Sequence, residues 1–487
     1  MTNSKTESTR VVIIGAGMSG LCMAMCLRRQ GINDFLILEK SADVGGTWYE
    51  NRYPGAQCDV QSHLYTFSFA PNPEWSRRYA NSREIQHYLS GLTQQFDLHD
   101  RLRLNTRVKS ARFDEHALHW VVGTNDGTII KSQAIALSQA PLHTAKWPEI
   151  QGLEQFRGRK LHTALWPDQA SFDGRRVGVI GNGASAVQLV PPVAAQAEHL
   201  TVFQRSANWV LPRGDKPFSA TQKRLFAIKP IGKLYRWWLA SLYESNRFGF
   251  VPDSFAGRLA HKRATSHLAK RVHDTKLRAS LTPDYPVGCK RILITDEYYP
   301  TLQQPHVALE TRGIREIEAS GVRLNDGTLV ELDDLICATG FDITGSVASV
   351  EVLGLAGKPL AASQRDKPQA MHGITVPDFP NLFLLLGPNT ATGHTSTLLY
   401  IEAQVNYIIQ CLQELERRKQ HAMTISAEVF RQHNEDLQAR LKQSVWGANC
   451  TSWYKTADGH NGTLYPGFTP QYRAAVRHPD FTQFEFT

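Results

Sequence analysis

The sequence predicts an α/β protein of two Rossmann-like dinucleotide-binding domains with a helical insert. Three features carry this expectation. A glycine turn, Gly15-Ala16-Gly17-Met18-Ser19-Gly20, stands between an apolar run and a helical pattern. A second turn of the same form, Gly181-Asn182-Gly183-Ala184-Ser185-Ala186, follows the apolar run Val177–Ile180. Residues 220–280 hold 13 Lys/Arg against three Asp/Glu, with "LYRWWLASLY" at 234–243.

The first unit reads as strand, turn, helix, strand. Val11–Ile14 ends in Gly15, which permits the tight turn. Gly17 lets the backbone approach a pyrophosphate, and Gly20 allows close helix–strand packing. The helix carries Leu21, Met25 and Leu27, and a second apolar run ends at Glu39, whose carboxylate suits a ribose hydroxyl. The helix N-terminus faces the anion. In the second unit Gly181 and Gly183 take the corresponding places, with Ser185 and Ala186 opening the helix. Gly15 to Glu39 is 24 residues, and Gly181 to Arg205 is also 24. A carboxylate repels a 2′-phosphate, whereas a guanidinium binds one through two hydrogen bonds. Unit one therefore reads as a site for FAD or NAD and unit two as a site for NADP(H). Ser206 would be a second phosphate donor. Two such sites imply hydride transfer from NADPH to a bound flavin.

Later segments fit the same layout. "LDDLICATGFD" (332–342) is an apolar strand closing on Thr339 and Gly340, and "NLFLLLGPNTATGHTS" (381–396) opens onto Asn389. The expected division is an FAD-binding part at 1–150, a linker at 151–171, an NADP-binding domain at 172–345 with its basic insert at 218–283, and a second FAD-binding part with a C-terminal loop at 346–487. The insert would be a helical segment with a solvated basic face, and its aromatic residues allow weak contact with a membrane surface. No nucleic-acid partner is expected.

The seven cysteines include no CxxC pair, which removes the disulfide reductases and leaves free thiols with no metal site. No apolar run reaches the roughly 18 residues of a membrane span. The polar start "MTNSKTESTR" runs straight into a strand, so a cytoplasmic protein is expected. A second nucleotide site is superfluous in a plain oxidase, so oxygenases remain.

Two longer patterns sharpen this. F-x-G-x-x-x-H-x-x-x-W-P is met by Phe156, Gly158, His162, Trp166 and Pro167. GG-x-W-x4-[FY]-P-G-x3-D is met by Gly45, Gly46, Trp48, Tyr53, Pro54, Gly55 and Asp59, with Thr47 in the variable place. On these the chain resembles the type I Baeyer–Villiger monooxygenases, within the class B flavoprotein monooxygenases, over nearly its whole length. Relatives that oxidise nitrogen or sulfur carry a similar motif without the Trp-Pro ending. The resemblance implies FAD and NADPH as cofactors, and O2 and a small ketone as substrates. Oxygen would be inserted beside the carbonyl to give an ester or lactone by way of a C4a-peroxyflavin. The alternative is a flavin-containing monooxygenase oxidising sulfur or nitrogen of small lipophilic molecules. The resemblance further implies that Arg291, in "YPVGCKRILITDEYYP", is the catalytic cation, that Asp59 orients it, and that Lys290 helps hold the 2′-phosphate. Gly46, Thr47, Trp48 and Tyr53 would lie by the flavin, and Trp453 on a C-terminal loop near NADP and substrate. His162 is expected to tie a joint between the two nucleotide domains, with Gly158 allowing a bend.

Overall fold

The computed structural model describes residues 5–138, 144–342, 349–447, 452–456 and 458–487. The strand Thr6–Ile14 pairs in parallel with Phe35–Leu38 on one side and Ile129–Leu137 on the other. Its last four residues are buried, which is why they read as an unbroken apolar run. Helix Met18–Arg29 follows the first glycine turn. Ile129–Leu137 also closes an antiparallel meander with Val108–Asp114 and His119–Thr124. Its second half pairs in parallel with Leu382–Leu384, far along the chain. Helix Leu398–Arg418 then packs on Met18–Arg29. The chain thus returns to its first sheet.

The second sheet is five parallel strands in the order Val307–Glu310, His199–Phe203, Arg176–Ile180, Asp334–Cys337, Arg159–His162. The last of these lies within "FRGRKLHTALWPD", in the stretch expected to be linker. Its charge is what seats it. Arg159 meets the fully buried carboxylate of Asp334 in a fork at 2.9 and 2.7 Å, and Arg175 holds the same carboxylate at 2.6 and 2.8 Å. The cations anchor the edge strand to its neighbour. Gly158 answers to space and not to a bend: a Cβ there would lie 2.4 Å from the Asp333 carbonyl oxygen and 2.5 Å from the Phe156 ring.

The insert is helical, with helices Ala220–Ala227, Lys229–Ser245, Phe255–Arg271 and Thr275–Ser280. It spans both halves. Leu239 joins the core beneath the first sheet, and Leu268 joins the core of the second. Where the first two helices land, Phe218, Phe226 and Tyr235 surround His63, with ring centroids at 5.0, 4.4 and 5.3 Å. Among the described residues five cysteines are free thiols, but Cys289 is disulfide-bonded, which corrects the expectation of free thiols throughout. Among the described residues no helix is long and apolar enough to cross a membrane.

Candidate active site

Residues 45–59 run from the first glycine turn to the second domain. At the start, Gly46 packs on Gly17 so closely that a Cβ on Gly46 would lie 3.0 Å from the Gly17 Cα. Thr47 opens a single helical turn, Thr47–Glu50. Within it Trp48 Nε1 donates to the Tyr65 hydroxyl at 3.1 Å. Tyr53 then crosses to the helix Ala184–Ala194, where its hydroxyl donates to Gln188 Oε1 at 2.9 Å. Burial, eased by a hydrogen bond with Ser185, pushes this phenol up to about 12, so it stays a donor. Gly55, at φ +82°, rests on the same helix: a Cβ would lie 2.2 Å from the Gln188 carbonyl oxygen. Pro192, one turn on, has no N–H to close on that carbonyl, so the loop settles where the helix ladder is interrupted.

Asp59 ends the stretch between two guanidinium groups. Arg291 Nη2 donates to Oδ2 at 2.6 Å, and Arg213 Nη2 and Gln188 Nε2 donate to Oδ1 at 3.1 and 3.3 Å. Arg213 also donates to Gln57 Oε1. Two cations share one carboxylate, so the cluster carries a net positive charge. Burial opposes ionisation of Arg291, but Asp59, the nearby Tyr454 and the hydrogen bond outweigh it and push its pKa up. The Arg291 side chain keeps 43% of its surface exposed, and a guanidinium has N–H groups beyond the one Asp59 holds. The arrangement is a fixed cation with donors to spare, able to stabilise negative charge on a nearby oxygen.

The glycine turns fit nucleotides on the structure's own terms. Gly17 and Gly183 begin their helices with no side-chain cap, so the first amides of each are open to a phosphate. Glu39 is buried at the end of its strand, accepting from the backbone N–H of Ala16 at 2.7 Å and of Ser41 at 2.9 Å. Each oxygen retains a lone pair for a ribose hydroxyl. In the second domain Lys290 Nζ reaches Ser206 Oγ at 3.4 Å and lies 4.4 Å from the centre of the Tyr285 ring. Burial lowers the Lys290 pKa, Asp284 opposes this, and Arg205 lowers it further. Two cations held close enough to repel are a ready site for a dianionic phosphate.

Other expected residues also make contacts within the fold. Thr339 Oγ1 donates to the Lys146 carbonyl at 2.5 Å, and His162 Nε2 meets the same oxygen at 3.2 Å. The Ala164 amide donates to His162 Nδ1 at 3.1 Å, so Nε2 carries the proton and points it at Lys146. His162 is buried, which lowers its pKa against the opposing pull of the Lys146 carbonyl. Gly340, at φ +86°, follows Thr339 at this joint. Asn389 is buried and donates to the Asn461 and Leu464 carbonyls at 2.7 and 3.0 Å, fixing the C-terminal segment. Trp453 is exposed, with its ring tilted against that of Tyr454 at a centroid distance of 4.6 Å. Gln188, Arg213 and Tyr454 were absent from the sequence reading. No motif marks them, and only the fold brings them to Asp59 and Arg291.

Two dinucleotide folds meeting at a charged cluster define a two-nucleotide oxidoreductase. The sequence model of the flavin-binding monooxygenase-like family matches residues 8–345, and the chain belongs to that family. It is 40% identical to a Baeyer-Villiger monooxygenase of Pseudomonas aeruginosa, over 100% of this chain and 93% of that one. A Baeyer-Villiger monooxygenase of Streptomyces coelicolor is 38% identical over 98% of this chain and 93% of its own. Among solved structures, an oxidized steroid monooxygenase bound to NADP matches with a TM-score of 0.87 at 30% identity, covering 99% of each chain. Cyclohexanone monooxygenase from Rhodococcus sp. Phi1 bound to NADP+ matches with a TM-score of 0.88 at 28% identity, covering 99% of this chain and 100% of that one.

Proposed function

We propose that the protein is an NADPH- and O2-dependent FAD monooxygenase of the Baeyer–Villiger type. It converts a ketone to an ester or lactone. One oxygen atom enters between the carbonyl carbon and its neighbour, the other leaves as water, and NADPH supplies the two electrons. Bound flavin supplies the hydride acceptor and the means of activating O2. The protein supplies the rest. Gly15, Gly17, Gly20 and Glu39 would hold the flavin nucleotide, with Gly46, Thr47, Trp48 and Tyr53 beside it. Gly181, Gly183, Ser185 and Ala186 would hold the NADP pyrophosphate, and Arg205, Ser206 and Lys290 its 2′-phosphate. Thr339, Gly340, Asn389 and Trp453 complete the two sites. The flavin part takes in 1–150 and 346–487 and the NADP part 172–345.

The observation that carries this reading is the Asp59 cluster. Asp59 orients Arg291, and Arg213 and Gln188 hold Asp59, so that a net positive charge waits at a fixed place. Oxygen insertion beside a carbonyl builds negative charge on the ketone oxygen, which Arg291 is placed to stabilise. Oxidation of sulfur or nitrogen builds no such oxyanion. His162 keeps its proton on Lys146 and takes no part in proton transfer to substrate. The reading places the enzyme in the cytoplasm, with residues 220–280 touching a membrane surface. The test is product analysis with purified holoenzyme, NADPH, O2 and a panel of ketones and sulfides. Esters or lactones are expected; sulfoxides alone, with every ketone untouched, would overturn the reading.

A further inference from the structure

Helix Lys229–Ser245 has two apolar faces, and the fold uses one of them. On the inward face Leu239 is fully buried, Tyr235 packs on His63, and Arg236 donates to the Thr66 carbonyl at 2.9 Å. At about 100° per residue, Ile231, Leu234, Trp237, Trp238 and Leu242 fall within an arc of about 140° on the other side. These five are 38% to 66% exposed. No Lys, Arg, Asp or Glu falls inside the arc. Together they present about 500 Å² of apolar surface, near the top of what a soluble monomer ordinarily exposes. Leu225 and Ile228 are exposed as well, on the helix and turn leading in.

Exposed cations border this face, while Glu244, which falls between Lys233 and Trp237 in projection, is held away by the Thr469 amide it accepts from at 2.7 Å. Lys233 flanks the arc beside Trp237, and Arg224 and Lys229 are exposed on the approach to it. A symmetric contact with a second copy of the chain would bring these cations against their own equivalents. Anionic headgroups neutralise them instead. Adjacent tryptophans suit the same depth, since an indole has an apolar body and a polar N–H. We propose that the outward face of Lys229–Ser245 docks the enzyme on an anionic membrane surface, with the helix lying in the plane of the headgroups.

The inward face of the same helix leads to the charged cluster. The Tyr243 hydroxyl accepts from the Gln61 amide at 3.3 Å and meets the Tyr79 hydroxyl at 3.4 Å. The Arg213 guanidinium lies 5.7 Å from the centre of the Tyr79 ring. A docked enzyme would therefore have its site a few side chains from the lipid, where lipophilic ketones concentrate. That last consequence rests on the ketone reading; the docking does not.

The test is co-sedimentation of the FAD-loaded enzyme with vesicles of phosphatidylcholine alone and of phosphatidylcholine with phosphatidylglycerol. Binding to the mixed vesicles is expected, at least about tenfold tighter than to phosphatidylcholine and weakened by salt. Lys229→Ala/Lys233→Ala should weaken it by about 25-fold, near fivefold for each basic residue. Trp237→Ser/Trp238→Ser should abolish it while NADPH oxidation in solution stays at the wild-type rate, which shows that the variant is folded. Wild-type enzyme left in the supernatant with both vesicles, or undiminished binding by the double Trp variant, overturns the proposal. So does a sedimentation-velocity dimer that this variant turns to monomer in the absence of vesicle binding, since a second copy would then cover the face.

Discussion

Replacing Arg291 by Ala separates the two halves of the reaction. In the native cluster Arg291 and Arg213 share Asp59, leaving one net positive charge. In the variant Asp59 keeps Arg213 at 3.1 Å and the cluster becomes neutral. The lost cation is worth about 4 kcal/mol to an oxyanion about 4 Å away, at an effective dielectric constant of about 20. That is roughly a thousandfold in rate. Because Arg291 is 43% exposed, the fold itself should lose no more than about 1 kcal/mol. If NADPH binds as proposed, through Arg205, Ser206, Lys290 and the second glycine turn, flavin reduction should persist. The assay is anaerobic stopped-flow reduction of the flavin by NADPH, alongside chromatographic measurement of ester or lactone in air. Reduction within about threefold of wild type and ester formation down about a thousandfold are expected. Ester formation within about tenfold of wild type would refute the charge argument. Arg291→Lys should recover only part of the loss, because an ammonium lacks the planar fork.

Arg205→Ala should raise the KM for NADPH by about 10- to 100-fold and leave NADH nearly unchanged; equal losses would dismiss the phosphate role. Gln188→Leu should cut ester formation by about 10- to 100-fold at unchanged FAD content, because Asp59, Tyr53 and Gln57 lose a shared partner; full activity would show that Gln188 positions nothing. Gly158→Ala, forcing a methyl against the Asp333 carbonyl, should cost about 1–3 kcal/mol in a denaturant melt; an unchanged midpoint would contradict the packing. His63, lowered to about 4 by burial, makes stability pH-dependent. Its contribution is complete above the unfolded value of 6.5 and falls as pH drops toward 4, with about 2 kcal/mol lost by pH 5. His63→Phe should therefore lose less melting temperature than wild type between pH 7 and 5; parallel curves would exclude His63.

The nucleotide folds were legible because their signals are local. A strand, a glycine turn and a helix lie consecutively, and equal spacing from Gly15 to Glu39 and from Gly181 to Arg205 sets a carboxylate against a guanidinium. Asp59 and Arg291 needed the family pattern, since an acid and a cation so far apart in sequence carry no local sign of pairing. The structure places them 2.6 Å apart. Gln188 and Arg213 escaped for the same reason, and no pattern named them. The edge strand Arg159–His162 was missed because two of its four residues are cationic, and strand reasoning weighs apolar alternation. Its partner, the buried Asp334, lies beyond any local window. The insert was readable as helix, but which of its faces the fold would cover was not. That depended on His63 and Tyr79, which lie more than 140 residues earlier in the chain.

The late return of Leu382–Leu384 to the first sheet has a consequence for synthesis. The strand it completes, Ile129–Leu137, leaves the ribosome about 250 residues earlier. At about 5–20 residues per second the wait is about 12 to 50 s. Through that interval the first sheet stands with an open edge, and helix Met18–Arg29 lacks the helix Leu398–Arg418 that covers it. The second sheet, whose strands all fall between Arg159 and Cys337, can close in the meantime. The nascent chain can therefore complete its later domain before its earlier one, and the expected flavin site would be finished only when translation is nearly over.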